Sequence, residues 1–488
     1  MTDELWRWDA LVAAVEAEVD GEPAGFVSGF SIDSRTLERG DVFVAISDVR
    51  DGHEFVSAAF QAGAVAALVR QDYARQPDDR CLLRVDDPLH ALERIGAAAR
   101  ARLADDAKII AVTGSAGKTS SKEMLRTCLE TVAPGHVHAS VKSYNNHWGV
   151  PLTLARMPAA TRYGVFEIGM NHAGEITPLT KLVRPHAAVI TTVAPVHLGN
   201  FSSVDEIAEA KAEIFSGLEP DGVAIINGDI AHTDLLKTRA STQASRVITF
   251  GLHPETDVHG VIAQLAADHS VAQAATAHGP VRMTIGIPGA HMVTNALAVT
   301  AALQAIGVAD LENALAALAH TAVSGARGER SHLATPDGTI LLIDESYNGN
   351  PTSVRAALAT MALTVRTEFP RRVVVLGDLL ELGSMAEALH ADLAEDILAT
   401  GVDIVFAAGP LMQSLFEALP AELRGGWAES AEELEADVLS AVRAGDVVMV
   451  KGSLGSRMGP LTRALKARYP TCGGLEPDDA MPDDAMKA

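Results

Sequence analysis

Apolar residues fall into two spacings along this chain. Short unbroken runs, IIAV at 109–112, YGVFEI at 163–168 and AAVITTV at 187–193, alternate with stretches whose apolar positions lie three or four apart. Unbroken runs of this length predict strands covered on both faces, and the wider spacing predicts helices packed against them. Met124, Leu125, Cys128, Leu129 and Val132 keep the helical spacing directly after IIAV and a glycine-rich turn. This alternation predicts an α/β fold with a parallel, doubly wound sheet.

The same reading divides the chain. Residues 1–105 hold strand-like SIDSR (31–35), GDVFVAI (40–46) and AALVR (66–70), with a helical stretch beginning near Asp51, which suggests a small α/β unit. Residues 106–328 form the central unit. Residues 329–470 hold TILLID (339–344), RRVVVLGD (371–378), VDIVFAAG (402–409) and DVVMVKG (446–452), a Rossmann-like pattern. In open parallel sheets the loops at the strands' carboxyl ends carry the ligand. The tail, 471–488, repeats PDDAM and is acidic and poor in apolar residues, so disorder is expected there.

Composition narrows the function. The chain has 488 residues and a formal net charge of −24. Such a balance excludes a general nucleic-acid or anionic-membrane surface, because both attract basic proteins. Any phosphate site must be local. Cys81, Cys128 and Cys472 match neither a zinc spacing nor a disulfide framework. No signal-like start and no long apolar run occurs, so a cytoplasmic protein without integral membrane contact is expected. No sustained heptads suggest self-association, and a monomer is expected.

Candidate chemistry clusters after the strands. Thr113-Gly114-Ser115-Ala116-Gly117-Lys118-Thr119 sits between a strand and a helix. Glycines let backbone N–H groups curl around phosphate oxygens, and the helix N-terminus adds partial positive charge. Lys118 would neutralise the outer phosphates and Thr119 would ligate Mg²⁺. Val112 stands where the general pattern has glycine, so the loop is a shortened variant. Glu167 ends an apolar strand, which is costly unless it is paired or metal-bound. His197 follows another strand; taken alone, such a histidine is more often just a loop residue. In SVDEIAEAKAEIFSGL (203–218), Ser203 and Glu206 form a capping-box pattern. Lys211 shares the helix face of Ile207 and Phe215, and either snorkels to the rim or is a desolvated, reactive amine. His291 and Asn295 open a further helical run. Arg327 and Arg330 lie between the second and third units.

Together these segments resemble the Mur ligases, from about residue 31 to 460, and most nearly the branch that adds D-alanyl-D-alanine. TGSAGKTSSKEML, SYNNHWGVPLTLARMP, FEIGMNHAGEI, AKAEIF, PGAHMVTNALA, LIDESYNGNP, VVLGDLLELG and MVKGSLGSRM carry the resemblance in order. It implies an ATP-dependent ligase with three α/β domains, which joins D-alanyl-D-alanine to a UDP-N-acetylmuramoyl-tripeptide. Gly114 to Thr119, His291, Asn295, Arg327, Glu345, Tyr347 and Asn348 would hold ATP. Thr119, Glu167, His197 and Lys211 would hold two Mg²⁺ ions, Lys211 as a carbamate. Lys118, Lys211, His197 and Asn146 would be catalytic, and Ser34, Arg35, Asn145 and Asn146 would face the UDP substrate.

Three positions depart from the family pattern. Glu345 replaces the usual second Asp of DDSYNAN, Met292 stands where Asn often follows the histidine, and Gly199 stands where an acid often follows His-Leu. The implied reaction transfers a γ-phosphoryl group to a carboxylate, after which an amine displaces phosphate from the acyl carbon. The alternatives are a sibling carboxylate–amine ligase, such as a folylpolyglutamate synthase, and a nucleotide switch that ligates nothing.

Overall fold

The run at 109–112 becomes the strand Lys108–Thr113, which lies inside a nine-stranded sheet. The computed structural model describes residues 4–141, 143–277, 279–322 and 325–472. From one edge the central sheet runs Val137–Ala139, Tyr163–Glu167, Lys108–Thr113, Ala187–Ile190, Val223–Asn227, Arg246–Gly251 and Val258–Leu265, all parallel. Helices cover both faces. Lys118–Val132 and Ala290–Ala305 pack on one, and Ile176–Val183 and Val204–Ala212 pack on the other.

The sheet is not purely parallel, and this corrects the sequence reading. Ser270–Thr276 and Gly279–Ile285 extend it antiparallel beyond Val258–Leu265. In these strands buried and wet positions alternate, with Ala272, Ala274, Met283 and Ile285 packed inward. One-sided burial is what an antiparallel edge tolerates.

The C-terminal sheet runs Glu329–Thr335, Gly338–Glu345, Asp446–Lys451, Arg371–Gly377, Ile404–Ala408 and Arg424–Ala428, parallel except for its first strand. The N-terminal sheet runs Glu18–Asp20, Leu82–Val85, Ala66–Arg70, Asp41–Val44 and Gly29–Ser31. Its first pair is antiparallel and the remainder parallel. Only Ser31 of the expected strand SIDSR is extended in that sheet. Residues 33–36 turn, because the Asp33 carboxylate accepts from the Arg35 backbone N–H at 3.0 Å.

Two contacts reach across the divisions expected from the pattern. Leu152 and Ala155, on the helix Gly149–Ala155, pack into the N-terminal core, while Val150 and Leu154 of the same helix pack into the central one. Thr471 bridges Leu333, and the Cys472 N–H donates to the His332 carbonyl at 2.7 Å. The first two residues of the expected disordered tail are therefore paired, and 473–488 lie outside the described residues.

Candidate active site

The glycine-rich loop is shaped by close packing. Gly114 has φ +150°, and a Cβ there would lie 2.0 Å from Thr191 Oγ1. Gly117 has φ +82°, and a Cβ there would lie 2.6 Å from Asn295 Oδ1. A side chain at either position meets both backbone strain and collision. Neighbouring loops clamp the turn. Thr191 Oγ1 donates to the Ala116 carbonyl at 2.5 Å, and the Ser115 hydroxyl accepts from the Ala194 N–H at 2.9 Å. Lys118 Nζ donates to the Gly114 carbonyl at 2.7 Å, so its ammonium lies over the loop. Desolvation lowers its pKa, Glu167 opposes that shift, and Arg327 adds to it.

Glu167 is 1% exposed at the end of its strand. Its carboxylate accepts from Thr119 Oγ1 at 2.9 Å and from Asn145 Nδ2 at 2.7 Å. Thr119 Oγ1 also accepts from Arg327 Nη1 at 2.8 Å, while Arg327 Nη2 donates to Ser143 Oγ at 2.8 Å. The Arg327 guanidinium lies 4.1 Å from the Tyr347 ring centroid. The hydroxyl of Thr119 and the carboxylate of Glu167 thus meet the guanidinium of Arg327, from the segment that joins the central unit to the third. Arg330 turns elsewhere, to the Ala267 carbonyl, so Arg327 is the arginine at this centre. Asn146 also turns away. Its Oδ1 accepts from the Gly149 N–H at 2.9 Å at the start of a helix, so Asn145 is the neighbour that reaches the carboxylate.

Lys211 is 2% exposed on Val204–Ala212, which continues as a 3-10 turn over Glu213–Gly217. Ser203 caps the helix by accepting from the Glu206 N–H. The buried face holds Ile207, Ala208, Ile214 and Phe215. No described carboxylate or carbonyl pairs with the Lys211 ammonium. Desolvation, with a smaller contribution from the Lys118 charge, holds its pKa well below the usual lysine value. Of the two readings of this residue, the geometry matches the desolvated amine.

His197 Nδ1 pairs with the Glu381 carboxylate of the C-terminal unit. That hydrogen bond is the main reason the Glu381 pKa is lowered. Asn295 is buried against Gly117, and His291, its pKa lowered by burial, feels the charges of Glu345 and Lys451. Glu345 accepts from Lys451 Nζ at 3.0 Å, and Lys451 also donates to the Asn348 carbonyl at 2.9 Å. Asn348 Oδ1 accepts from the Gly349 N–H at 2.9 Å. Arg35 pairs with Asp33 at 2.8 Å on the N-terminal unit, beside Ser34.

The sequence reading missed Ser143, Thr191, Glu381 and Lys451. Glu381 and Lys451 lie within quoted motifs, yet neither had a spacing that marked it. Among the described residues no three His, Cys, Asp or Glu side chains form a ready metal cage. The oxygen donors Thr119 and Glu167 nevertheless suit Mg²⁺, which takes one or two carboxylates and completes its shell with water and phosphate oxygens. No helix among the described residues is long and apolar enough to cross a membrane.

Residues 112–303 match the Mur ligase middle domain, and residues 326–454 match the Mur ligase, glutamate ligase domain. The UDP-N-acetylmuramoyl-tripeptide–D-alanyl-D-alanine ligase of Bacillus subtilis is 34% identical over 90% of this chain and 93% of its own length. The Escherichia coli enzyme of that name is 34% identical over 89% of this chain and 92% of its own. A crystal structure of MurF from Acinetobacter baumannii superposes with TM-score 0.82 at 29% identity, covering 96% of this chain and all of that one. A folylpolyglutamate synthase from Thermotoga maritima shares the fold, with TM-score 0.55 at 16% identity over 78% of this chain and 93% of its own.

Proposed function

Because the chain belongs to the Mur ligase family, we propose that it joins D-alanyl-D-alanine to a UDP-N-acetylmuramoyl-tripeptide at the expense of ATP, as a cytoplasmic monomer. The observation that carries this reading is the meeting of Thr119, Glu167 and Arg327, with Lys118 beside them and Lys211 buried nearby. The relatives whose names state this reaction match nearly the whole chain at about a third identity. The folylpolyglutamate synthase supports the fold alone.

Residues 1–105 hold the uridine nucleotide through Ser34 and Arg35. Residues 106–328 hold ATP on Gly114 to Thr119, with Asn295 and His291 toward its base. Residues 329–470 close over it, with Arg327 in the segment just before them, and bring Glu345, Tyr347 and Asn348 to the nucleoside and the dipeptide to the centre. Mg²⁺ ions would be held by Thr119 and Glu167 and by His197 and Lys211; they supply Lewis-acid stabilisation of charge on the transferring oxygens. Lys118 spreads that charge further, and the tripeptide carboxylate attacks the γ-phosphorus to give an acyl phosphate and ADP. The dipeptide amine then attacks the acyl carbon, and phosphate leaves. Domain closure excludes water that would hydrolyse the acyl phosphate.

The Lys211 amine suits carbamylation. The ammonium first loses one proton to solvent; the neutral amine's lone pair then forms the N–C bond to CO₂ and a second proton leaves, so that with two protons released a cation becomes an anion able to face a metal. The test of the function is product release. ADP and phosphate should appear only when both UDP-muramoyl tripeptide and D-alanyl-D-alanine are present. Equal turnover with single amino acids would overturn the assignment.

A further inference from the structure

Among the described residues, the hydrogen-bond partner of the His197 ring comes from the C-terminal unit. The segment around it, APVHLGNFS at 194–202, has no carboxylate of its own. The loop at the carboxyl end of Arg371–Gly377 supplies one instead, Glu381, whose carboxylate meets His197 Nδ1. The two loops are also joined by backbone. The Gly199 N–H donates to the Glu381 carbonyl at 3.2 Å. A Cβ at Gly383, where φ is +58°, would lie 2.9 Å from the Leu198 carbonyl oxygen. His197 and Glu381 themselves hold left-handed φ values of 54° and 65°. Two non-glycine residues in that region, facing each other, mark a contact that the surrounding structure over-determines.

The loop that offers Glu381 is held firmly. The Leu380 N–H donates to Ser453 Oγ at 2.9 Å, the Leu379 N–H to His390 Nε2 at 3.0 Å, and the Ser453 N–H to the Asp378 carbonyl at 3.1 Å. A carboxylate on so fixed a loop can set the angle of an imidazole. With Nδ1 engaged by Glu381, Nε2 remains for a ligand. Histidines that bind metals commonly donate their other ring N–H to a carboxylate, which fixes both tautomer and ring orientation.

We infer that Glu381 is a positioning residue: it crosses from the C-terminal unit to orient His197, so that domain closure and assembly of the His197 site are a single event. This rests on the proposed function in treating His197 as a ligand. The structural evidence for the cross-domain contact stands apart from that reading.

The test compares the full-length wild type with Glu381→Ala and Glu381→Gln. Each is assayed for kcat and for KM of ATP, and for amide hydrogen exchange of residues 195–201 with ADP and Mg²⁺ present. Glutamine keeps an oxygen that accepts from Nδ1–H, so it controls for charge and bulk. In Glu381→Ala, kcat should fall about 10–100-fold with KM for ATP changed by less than about twofold, the range for removing a partner that orients a metal ligand. Exchange over 195–201 should quicken, and Glu381→Gln should recover most of both losses. Retention of kcat within about twofold in the Ala variant would overturn the inference. So would a Gln variant as impaired as the Ala variant, or unaltered exchange over 195–201. If the wild type fails to turn over with the two substrates, the reaction assignment falls. Exchange protection lost in Ala and kept in Gln would still uphold the positioning role.

Discussion

Lys211 and Lys451 are both 2% exposed, and they illustrate opposite uses of a buried lysine. Lys451 ends a strand of the C-terminal sheet, and its ammonium is bound by the Glu345 carboxylate and the Asn348 carbonyl. Lys211 lies on an apolar helix face of the central unit and has no such partner among the described residues. Burial penalises an ammonium in both places; a partner repays the cost in one and not in the other. The paired lysine works as a strut between two loops. The unpaired one is held where the neutral amine, or a charge-reversed derivative of it, is the comfortable state. Depth of burial alone does not separate structure from chemistry.

The largest test of this contrast is Lys211→Ala. Turnover should fall about a thousandfold, the scale of losing a preorganised charge at a phosphoryl-transfer centre. The thermal midpoint should drop little, because no described partner of the Lys211 nitrogen is left unpaired. ¹³C spectroscopy with labelled bicarbonate should show a carbamate resonance in the wild type and none in the variant. A fully active enzyme without that resonance would break the contrast at its more interesting end.

Lys451→Met should behave in reverse, losing about 2 kcal/mol of stability in denaturant melts by leaving the partly exposed Glu345 carboxylate unpaired. A substitution at 451 that left stability unaltered would show that the strut carries no load.

Acid probes the burial cost through another group. Desolvation pushes His138 in the central unit down to about 4. Its native pKa is depressed, so its contribution is complete above the unfolded value of about 6.5 and is lost as pH falls toward the folded value. Between about pH 7 and pH 5 the unit should lose on the order of 2 kcal/mol, and His138→Gln should flatten that slope in melts followed across pH. The smallest effect is expected for Arg327→Lys. A point charge replaces a fork that reaches two hydroxyls and lies on a ring, so kcat should fall about tenfold in steady-state assays.

Much of this was legible in the sequence, and the reasons differ residue by residue. The strands Lys108–Thr113 and Ala66–Arg70 were plain because their apolar runs are unbroken. The antiparallel extension was not, because VHGVIAQL and SVAQAAT mix small and polar residues and resemble loop. Lys118, Thr119 and Glu167 sit at fixed offsets from strand ends, and the structure brings them together with Arg327. The choice between Arg327 and Arg330 needed three dimensions, since both lie in one short segment. Glu381 pairs with a residue 184 positions away, and no local pattern encodes such a partner. Asn145 and Asn146 are adjacent and alike; which one meets Glu167 depends on the turn that starts the next helix.

The packing of the glycine-rich loop also constrains its history. Gly114 abuts Thr191, and Gly117 abuts Asn295, each closer than any Cβ could sit. The residues they crowd lie on other elements, 77 and 178 positions further along the chain by their numbering. A lineage cannot gain a side chain at 114 or 117 by one step: the backbone must first leave its left-handed turn and the distant neighbour must first shrink. Each of those first steps, taken alone, opens a void or loosens the loop. The two glycines are therefore locked by the order in which changes would have to arrive, and variants that escape them should be found only as pairs.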